Sequence, residues 1–216
     1  MISGLKVQMC SYHRRIFNLQ TSMSNIRFRQ AQENDSAHLA LFADMATRRL
    51  SSCVWNLSAQ AGQSAFEVGR SIICFDTGHP AYFRNWRVAE LNGAVIGALN
   101  AYVLPIPQVE LPSVPQVLKG PSELKAIAAQ TCYLSAIALY PEHQGHGFGK
   151  ELLDEAMSLT HAAGARQLSL LVGSFNAAAH RFYLRYGFEE WARRPFCAFA
   201  GSDTPGEWIL MRKDFS

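Results

Sequence analysis

Apolar positions along the chain repeat with a period of two in some stretches and of about 3.6 in others, and the switches between them mark out its elements. Asn25 to Arg29 (NIRFR) alternates and predicts a short strand. Asn34-Asp35-Ser36 then offers helix caps, and Leu39, Phe42, Met45, Ala46 and Arg49 follow at helical spacing. Ser64-Ala65-Phe66-Glu67 is a capping box, whose hydroxyl and carboxylate each satisfy a free N–H, so a second helix is expected as far as about Cys74. Thr77-Gly78-His79-Pro80 breaks it. Trp86 to Leu91 and Ala94 to Leu104 read as strands joined by Asn92-Gly93, the pair suited to a type I′ turn because both central residues need positive φ.

From Pro105 to Pro121 the chain carries five prolines and little periodicity. That predicts a long loop, either a binding lid or a plain insertion, with a short helix after Ser122. Thr131 to Tyr140 is apolar enough for a buried strand. Phe148, Leu152, Leu153, Ala156, Met157 and Thr160 then share one helical face, closed by Gly164. Gln167 to Val172 is a further apolar strand. Asn176 caps a helix through Ala179, Phe182, Tyr183 and Tyr186, ended by Gly187, and Phe188 to Phe199 and Glu207 to Arg212 supply two last strands. The expected order is β-α-α-β-β-β-α-β-α-β-β, an α/β pattern with no internal repeat and no second domain.

Composition narrows the function. Of 216 residues 49% are apolar and 17% charged, enough for a sizeable core in one domain. The net charge is only +3 and no basic block exceeds a pair, which argues against nucleic acid. No apolar run approaches the roughly 20 residues of a membrane span. Five cysteines, scattered and never in a CxxC pair, argue against a disulfide framework or zinc site and fit a reducing cytoplasm. Residues 1–23 hold Lys6, Arg14 and Arg15 but no acid, the first carboxylate being Glu33. They are expected to be an appendage rather than a targeting segment, since no long apolar stretch follows the charges. The domain proper is then 24–216, and a chain starting at Met23 should fold.

The most informative stretch is YPEHQGHGFGKELL, residues 140–153. It fits neither a P-loop, because Gly149-Lys150 is followed by Glu151, nor a dinucleotide fingerprint, because the third glycine falls at 149. The phosphate logic of both still holds: a strand ends, glycines remove side chains, and a helix N-terminus presents free N–H groups to an anion.

Gln144-Gly145-His146-Gly147-Phe148-Gly149 resembles Q/R-x-x-G-x-G/A, the coenzyme A pyrophosphate signature of the GCN5-related N-acetyltransferases (GNAT). Asn176-x-x-Ala179-x-x-x-Tyr183-x-x-x-Gly187-Phe188 is similar to the second segment of that superfamily. The resemblance spans about residues 24 to 214 and is sharpest from 131 to 190. It implies the acyl-CoA N-acyltransferase fold, a mixed, splayed sheet with helices on both faces, and acetyl-CoA as co-substrate with no metal. It implies that pantetheine pairs with the backbone of Ile137, Ala138 and Leu139 where the strand splays from Gln167 to Val172. The pyrophosphate is implied to rest on the amides of Gln144, Gly145, His146, Gly147, Phe148, Gly149 and Lys150. Asn176 and Tyr183, two helical turns apart, would share a face beside the thioester. The implied acceptor is a small-molecule or peptide amine, and by analogy with relatives whose last strands pair between subunits, a homodimer is in view.

The chemistry is attack of a neutral amine on a thioester, with departure of a thiolate. Tyr183 is the implied proton donor; the competing reading is a packed core aromatic. Many relatives carry a glutamate on the central strand as base, whereas this strand reads Tyr133-Leu134-Ser135-Ala136-Ile137, with no carboxylate. A water chain through Ser135, or Glu90 from the hairpin, are the candidates. His143 and His146 are three apart but lack a third ligand nearby, so they read as solvated surface groups rather than a metal pair. Two rivals stand beside the transferase: a CoA-binding sensor without turnover, and an interaction protein that keeps only the fold. Intact Gln144, Gly147 and Gly149 argue against the second.

Overall fold

In a computed structural model, residues 26–106, 114–202 and 205–215 are described. The expected appendage 1–23 and Asn25 lie outside them, as do residues 107–113 of the proline-rich stretch. The strands are β1 (Arg27–Gln30), β2 (Trp86–Leu91), β3 (Ala94–Val103), β4 (Cys132–Leu139), β5 (Gln167–Gly173), β6 (Glu189–Pro195) and β7 (Glu207–Asp214). They form a seven-stranded sheet in the order β1-β2-β3-β4-β5-β7-β6. Every neighbour pair is antiparallel except β4 with β5. The β2–β3 turn is the expected one, with φ of 53° at Asn92 and 80° at Gly93.

Among the described residues six α-helices join the strands: α1 (Ser36–Ala46), α2 (Leu50–Leu57), α3 (Ala65–Phe75), α4 (Gln116–Ile127), α5 (Phe148–Ala162) and α6 (Ala177–Arg185). Phe148, Leu152 and Leu153 of α5 and Tyr183 of α6 share one core with Leu134, Leu168 and Leu170. On the other face Leu39 and Phe42 of α1 and Val68 and Ile73 of α3 pack on Val88, Ala98 and Ala136, while Leu50 of α2 and Leu124 of α4 pack around Tyr133 and Leu210. Helices therefore cover both faces, as the α/β reading requires. Among the described residues no helix is long and apolar enough to cross a membrane.

Two helices depart from the expected pattern. The first N-terminal helix ends at Ala46 rather than reaching Arg49, and α2 follows as a separate helix. Thr47 turns its hydroxyl back onto the Ala43 carbonyl (2.9 Å), and Asp44 accepts from the Ser52 N–H (2.8 Å) to start α2. These local side-chain bonds compete with continuation of the helix. In the proline-rich stretch α4 begins at Gln116, well before Ser122, and contains Pro121. Burial of Pro121 and Leu124 offsets the low helix propensity of proline.

A bulge and a split position the site. Opposite β3 the register steps from Asn100↔Ala136 to Ala101↔Leu134, leaving Ser135 as the extra residue. One inserted residue reverses the side-chain alternation. Cys132 and Leu134 therefore face α5, while Ala136, an even-numbered neighbour, faces α1 and α3. On its other side β4 pairs with β5 only through Cys132↔Leu168, Tyr133↔Ser169 and Leu134↔Leu170. A buried Thr131–Ser169 hydroxyl bond of 2.6 Å ties the paired half together. Beyond Leu134 the strands part, and β5 continues to pair with β7 as far as Gly173.

Candidate functional site

A cleft of about 720 Å³ fills the space where β4 and β5 part. Leu134 to Leu139 of β4 form one wall, with Leu170 and Leu171 of β5 facing them. Having lost its β5 partner, β4 offers an open strand edge of the kind that accepts an extended ligand by backbone hydrogen bonds. One group on it is already used: Gln144 Nε2 donates to the Leu139 carbonyl at 2.9 Å, which ties the glycine loop to the end of the strand.

The loop itself is shaped by φ. Gly145 and Gly147 sit at 79° and 90°, a region that disfavours any residue with a Cβ, and a Cβ at either would meet no protein atom within 4 Å. That open space is the room an anion needs to approach the amides at the start of α5. Phe148 anchors the helix start by burying its ring in the core, and Gly149 lies against Phe182. The cleft lining includes Gln144, Gly145, Gly147, Gly149 and Lys150 from the expected pyrophosphate loop. The side chains of the other two point elsewhere: Phe148 inward, and His146 outward, stacked on Phe148 at 6.1 Å between centroids. Their place in the expected loop concerns backbone amides only. The exposed Lys150 ammonium is paired with Asp154 at 2.5 Å, and that hydrogen bond raises its pKa.

Asn176 and Tyr183 enter the cleft from α6 together, as their seven-residue spacing implies. Asn176 also caps that helix, its Oδ1 accepting from the Ala179 N–H at 3.4 Å. Tyr183 is 8% exposed, with its ring between Phe182 and Phe188, and burial pushes its hydroxyl pKa well above the ordinary tyrosine range. It is both a core aromatic and a cleft residue, so the two sequence readings of it are compatible.

Ser135, the bulge residue, lines the apex of the cleft and donates its hydroxyl proton to Asn100 Oδ1. Asn100 is buried, and its Nδ2 donates to the carbonyls of Pro80 (3.2 Å) and Asn85 (2.9 Å), which fixes Oδ1 toward Ser135. Sequence reasoning passed over Asn100, although one amide inside the apolar run AVIGALNAYV was a usable signal. Glu90, the other candidate base, is two strands from β4, bound to Arg29 at 2.6 Å, and does not line the cleft. Among the described residues no carboxylate or imidazole lines it. Among the described residues no group of three or more His, Cys, Asp or Glu side chains is gathered where it could hold a metal ion.

The sequence pattern described as "Acetyltransferase (GNAT) family" matches residues 54–188, more than half of the chain. No curated protein sequence matches. Solved structures similar to it include yncA from Salmonella typhimurium with its cofactor acetyl-CoA, at 19% identity and TM-score 0.55 over 89% of this chain and 95% of that one. An N-acetyltransferase from Staphylococcus aureus Mu50 is similar at 20% identity and TM-score 0.56, covering 89% of this chain and 100% of that one. A ribosomal-protein-alanine N-acetyltransferase from Brucella melitensis is similar at 19% identity and TM-score 0.56, covering 88% and 99%. At such identities the likeness is one of fold.

Proposed function

Because the chain belongs to the acetyltransferase (GNAT) family, we propose that it transfers an acetyl group from acetyl-CoA to an amine by direct attack of that amine on the thioester. The observation that carries this reading is the cleft at the β4–β5 split, with a glycine-rich loop at one end and Tyr183 inside it. The similar structure solved with acetyl-CoA supports the choice of donor. Acetyl-CoA supplies the activated acyl group; the chain supplies the positions.

Ile137, Ala138 and Leu139 present the strand edge along which pantetheine extends, and the amides from Gln144 to Lys150 receive the pyrophosphate. Asn176 and Tyr183 flank the thioester end. Ser135 lines the cleft with its proton committed to Asn100, which leaves its oxygen to accept an N–H of the incoming amine or an O–H of a water beside it. A neutral amine is required, and for a lysine-like pKa of ~10.4 deprotonation at pH 7 costs about 4–5 kcal/mol. Neither Ser135 nor Asn100 can keep that proton, so it leaves through water. The acceptor is a small-molecule or peptide amine, met in the cytoplasm.

A second reading, a CoA-binding sensor without turnover, is favoured by the lack of a carboxylate or imidazole among the described residues that line the cleft. Both readings require CoA to seat on the glycine loop, which gives the first test. In Gly147→Val the new side chain projects into the open space above the amides, at a backbone angle valine disfavours. Titration calorimetry should show CoA affinity reduced at least 100-fold in a variant whose circular dichroism is unchanged. Normal affinity in the folded variant would remove this loop from the site.

A further inference from the structure

The turn between α1 and α2 crosses from one arm of the split sheet to the other. His38 Nδ1 lies 2.6 Å from the Tyr140 hydroxyl and the Phe42 ring lies 4.6 Å from that of Tyr140, so α1 begins beside the end of β4. Its last residues therefore return toward Ala136 and the apex, where Met45 and Ala46 line the cleft. Two residues on, the Arg48 guanidinium lies over the Phe175 ring, 5.7 Å from its centroid. Phe175 follows the end of β5 and precedes Asn176, so one short segment reaches from the β4 arm to the β5 arm.

The segment is held in a backbone that side chains disfavour, with φ of 50° at Arg48 and 75° at Arg49. The Arg49 N–H bonds the Asp44 carbonyl at 2.9 Å, and the Asp44 carboxylate is committed to the Ser52 N–H. The platform under Arg48 is equally constrained. A Cβ on Gly173 would come within 2.2 Å of the Phe175 ring, and one on Gly206 within 3.1 Å. Among the described residues Arg29, Arg87, Arg193 and Arg194 are each paired with a carboxylate; Arg48 and Arg49 are not, and neither is Arg185 of α6, which lines the cleft itself. Phe175 belongs to the same apolar cluster as Leu50 and Tyr133, and the exposed Arg48 and Arg49 stand at its edge.

Resting on the acetyltransfer reading above, we propose that Arg48 and Arg49 form an anion-binding rim on the acceptor side, and that the acceptor is an amine that also bears a carboxylate, of the amino-acid class. Guanidinium offers a planar fork of donors that matches a carboxylate, and the same charge repels di- and polyamines. Both arginines are exposed, so the rim selects by a field that salt weakens.

The test compares acids with their amides, which keep the amine and the shape but lose the charge. Calorimetry on CoA-saturated protein should show L-phenylalanine and glycine binding at least 10-fold more tightly than L-phenylalaninamide and glycinamide. The advantage should shrink at high salt and fall to within twofold in the Arg48→Gln/Arg49→Gln variant. Amides binding as well as acids, a diamine such as putrescine binding more tightly than either, no detectable binding of the acids at millimolar concentration, or an acid advantage that survives both substitutions would each overturn the rim. CoA release from acetyl-CoA, followed on the same compounds, judges the acetyltransfer reading separately. Acid-selective binding without release leaves the rim standing and removes the transferase.

Discussion

Tyr183 and Ser135 both line the cleft, and in the proposed reaction they would flank the thioester bond. Burial holds the Tyr183 hydroxyl protonated far beyond neutral pH. Full proton transfer to a thiolate of pKa ~8.5 is then uphill, so in the proposed reaction Tyr183 would serve the leaving sulfur chiefly as a hydrogen-bond donor as charge develops. Tyr183→Phe removes that donor and keeps the ring that packs on Phe182 and Phe188. Acetyl-CoA affinity should stay within a few-fold, while kcat falls ~10²-fold or more, the usual scale for losing one hydrogen-bond donor to developing charge. The loss should shrink with a thioester whose thiol is more acidic. Stopped-flow or steady-state CoA release with an accepted amine reads both, and a Phe variant with near-normal kcat would leave water or a backbone group as the donor. At this scale the sequence was informative wherever a motif fixes spacing: Gln144, Gly147, Asn176 and Tyr183 all line the cleft as expected. It was silent on Met45 and Ala46, whose place in the cleft depends on which strand lies across from them, and it marked Asn100 only as a lone amide in an apolar run.

Elements set by short-range chemistry were legible, and those set by packing were not. The Asn92-Gly93 hairpin and the Ser64–Glu67 capping box appear as read, because every atom involved lies within a few residues. The break at Thr47 to Arg49 has no glycine or proline to announce it, and α4 runs through a proline that propensity alone would exclude. The split of β4 from β5 is a long-range fact known from the sequence only through the family resemblance. Packing also decides the sign of a substitution between α2 and α3. Gly69 lies inside α3, where alanine would ordinarily gain about 1 kcal/mol of helix propensity. Its Cβ, however, would meet the buried Trp55 ring of α2 at 2.5 Å, and overpacking of this kind costs ~1–3 kcal/mol. Gly69→Ala should therefore lower the stability measured by urea unfolding. A gain instead would show that Trp55 moves aside freely.

For the whole molecule the split means that two sub-sheets, β1 to β4 and β5 to β6, are joined in the sheet by three residue pairs and otherwise by the helices laid across them. A ligand seated between the arms adds contacts to both: β4 and the glycine loop on one side, α6 on the other. CoA should therefore stabilise the fold as a unit rather than a loop alone. A ligand that binds only the native state at 100 times its Kd contributes about 2.7 kcal/mol. For a chain of this length each kcal/mol moves Tm by roughly 2–4 °C. Saturating CoA should thus raise Tm by about 5–10 °C, and amide hydrogen exchange should slow across residues 144–150 and along the free half of β4. Gly147→Val should show neither effect at the same concentration, since its cost falls on the pyrophosphate approach. An unchanged Tm for the unaltered chain at millimolar CoA would remove CoA from this cleft, and protection confined to residues 144–150 would show that the ligand grips the loop without bridging the arms.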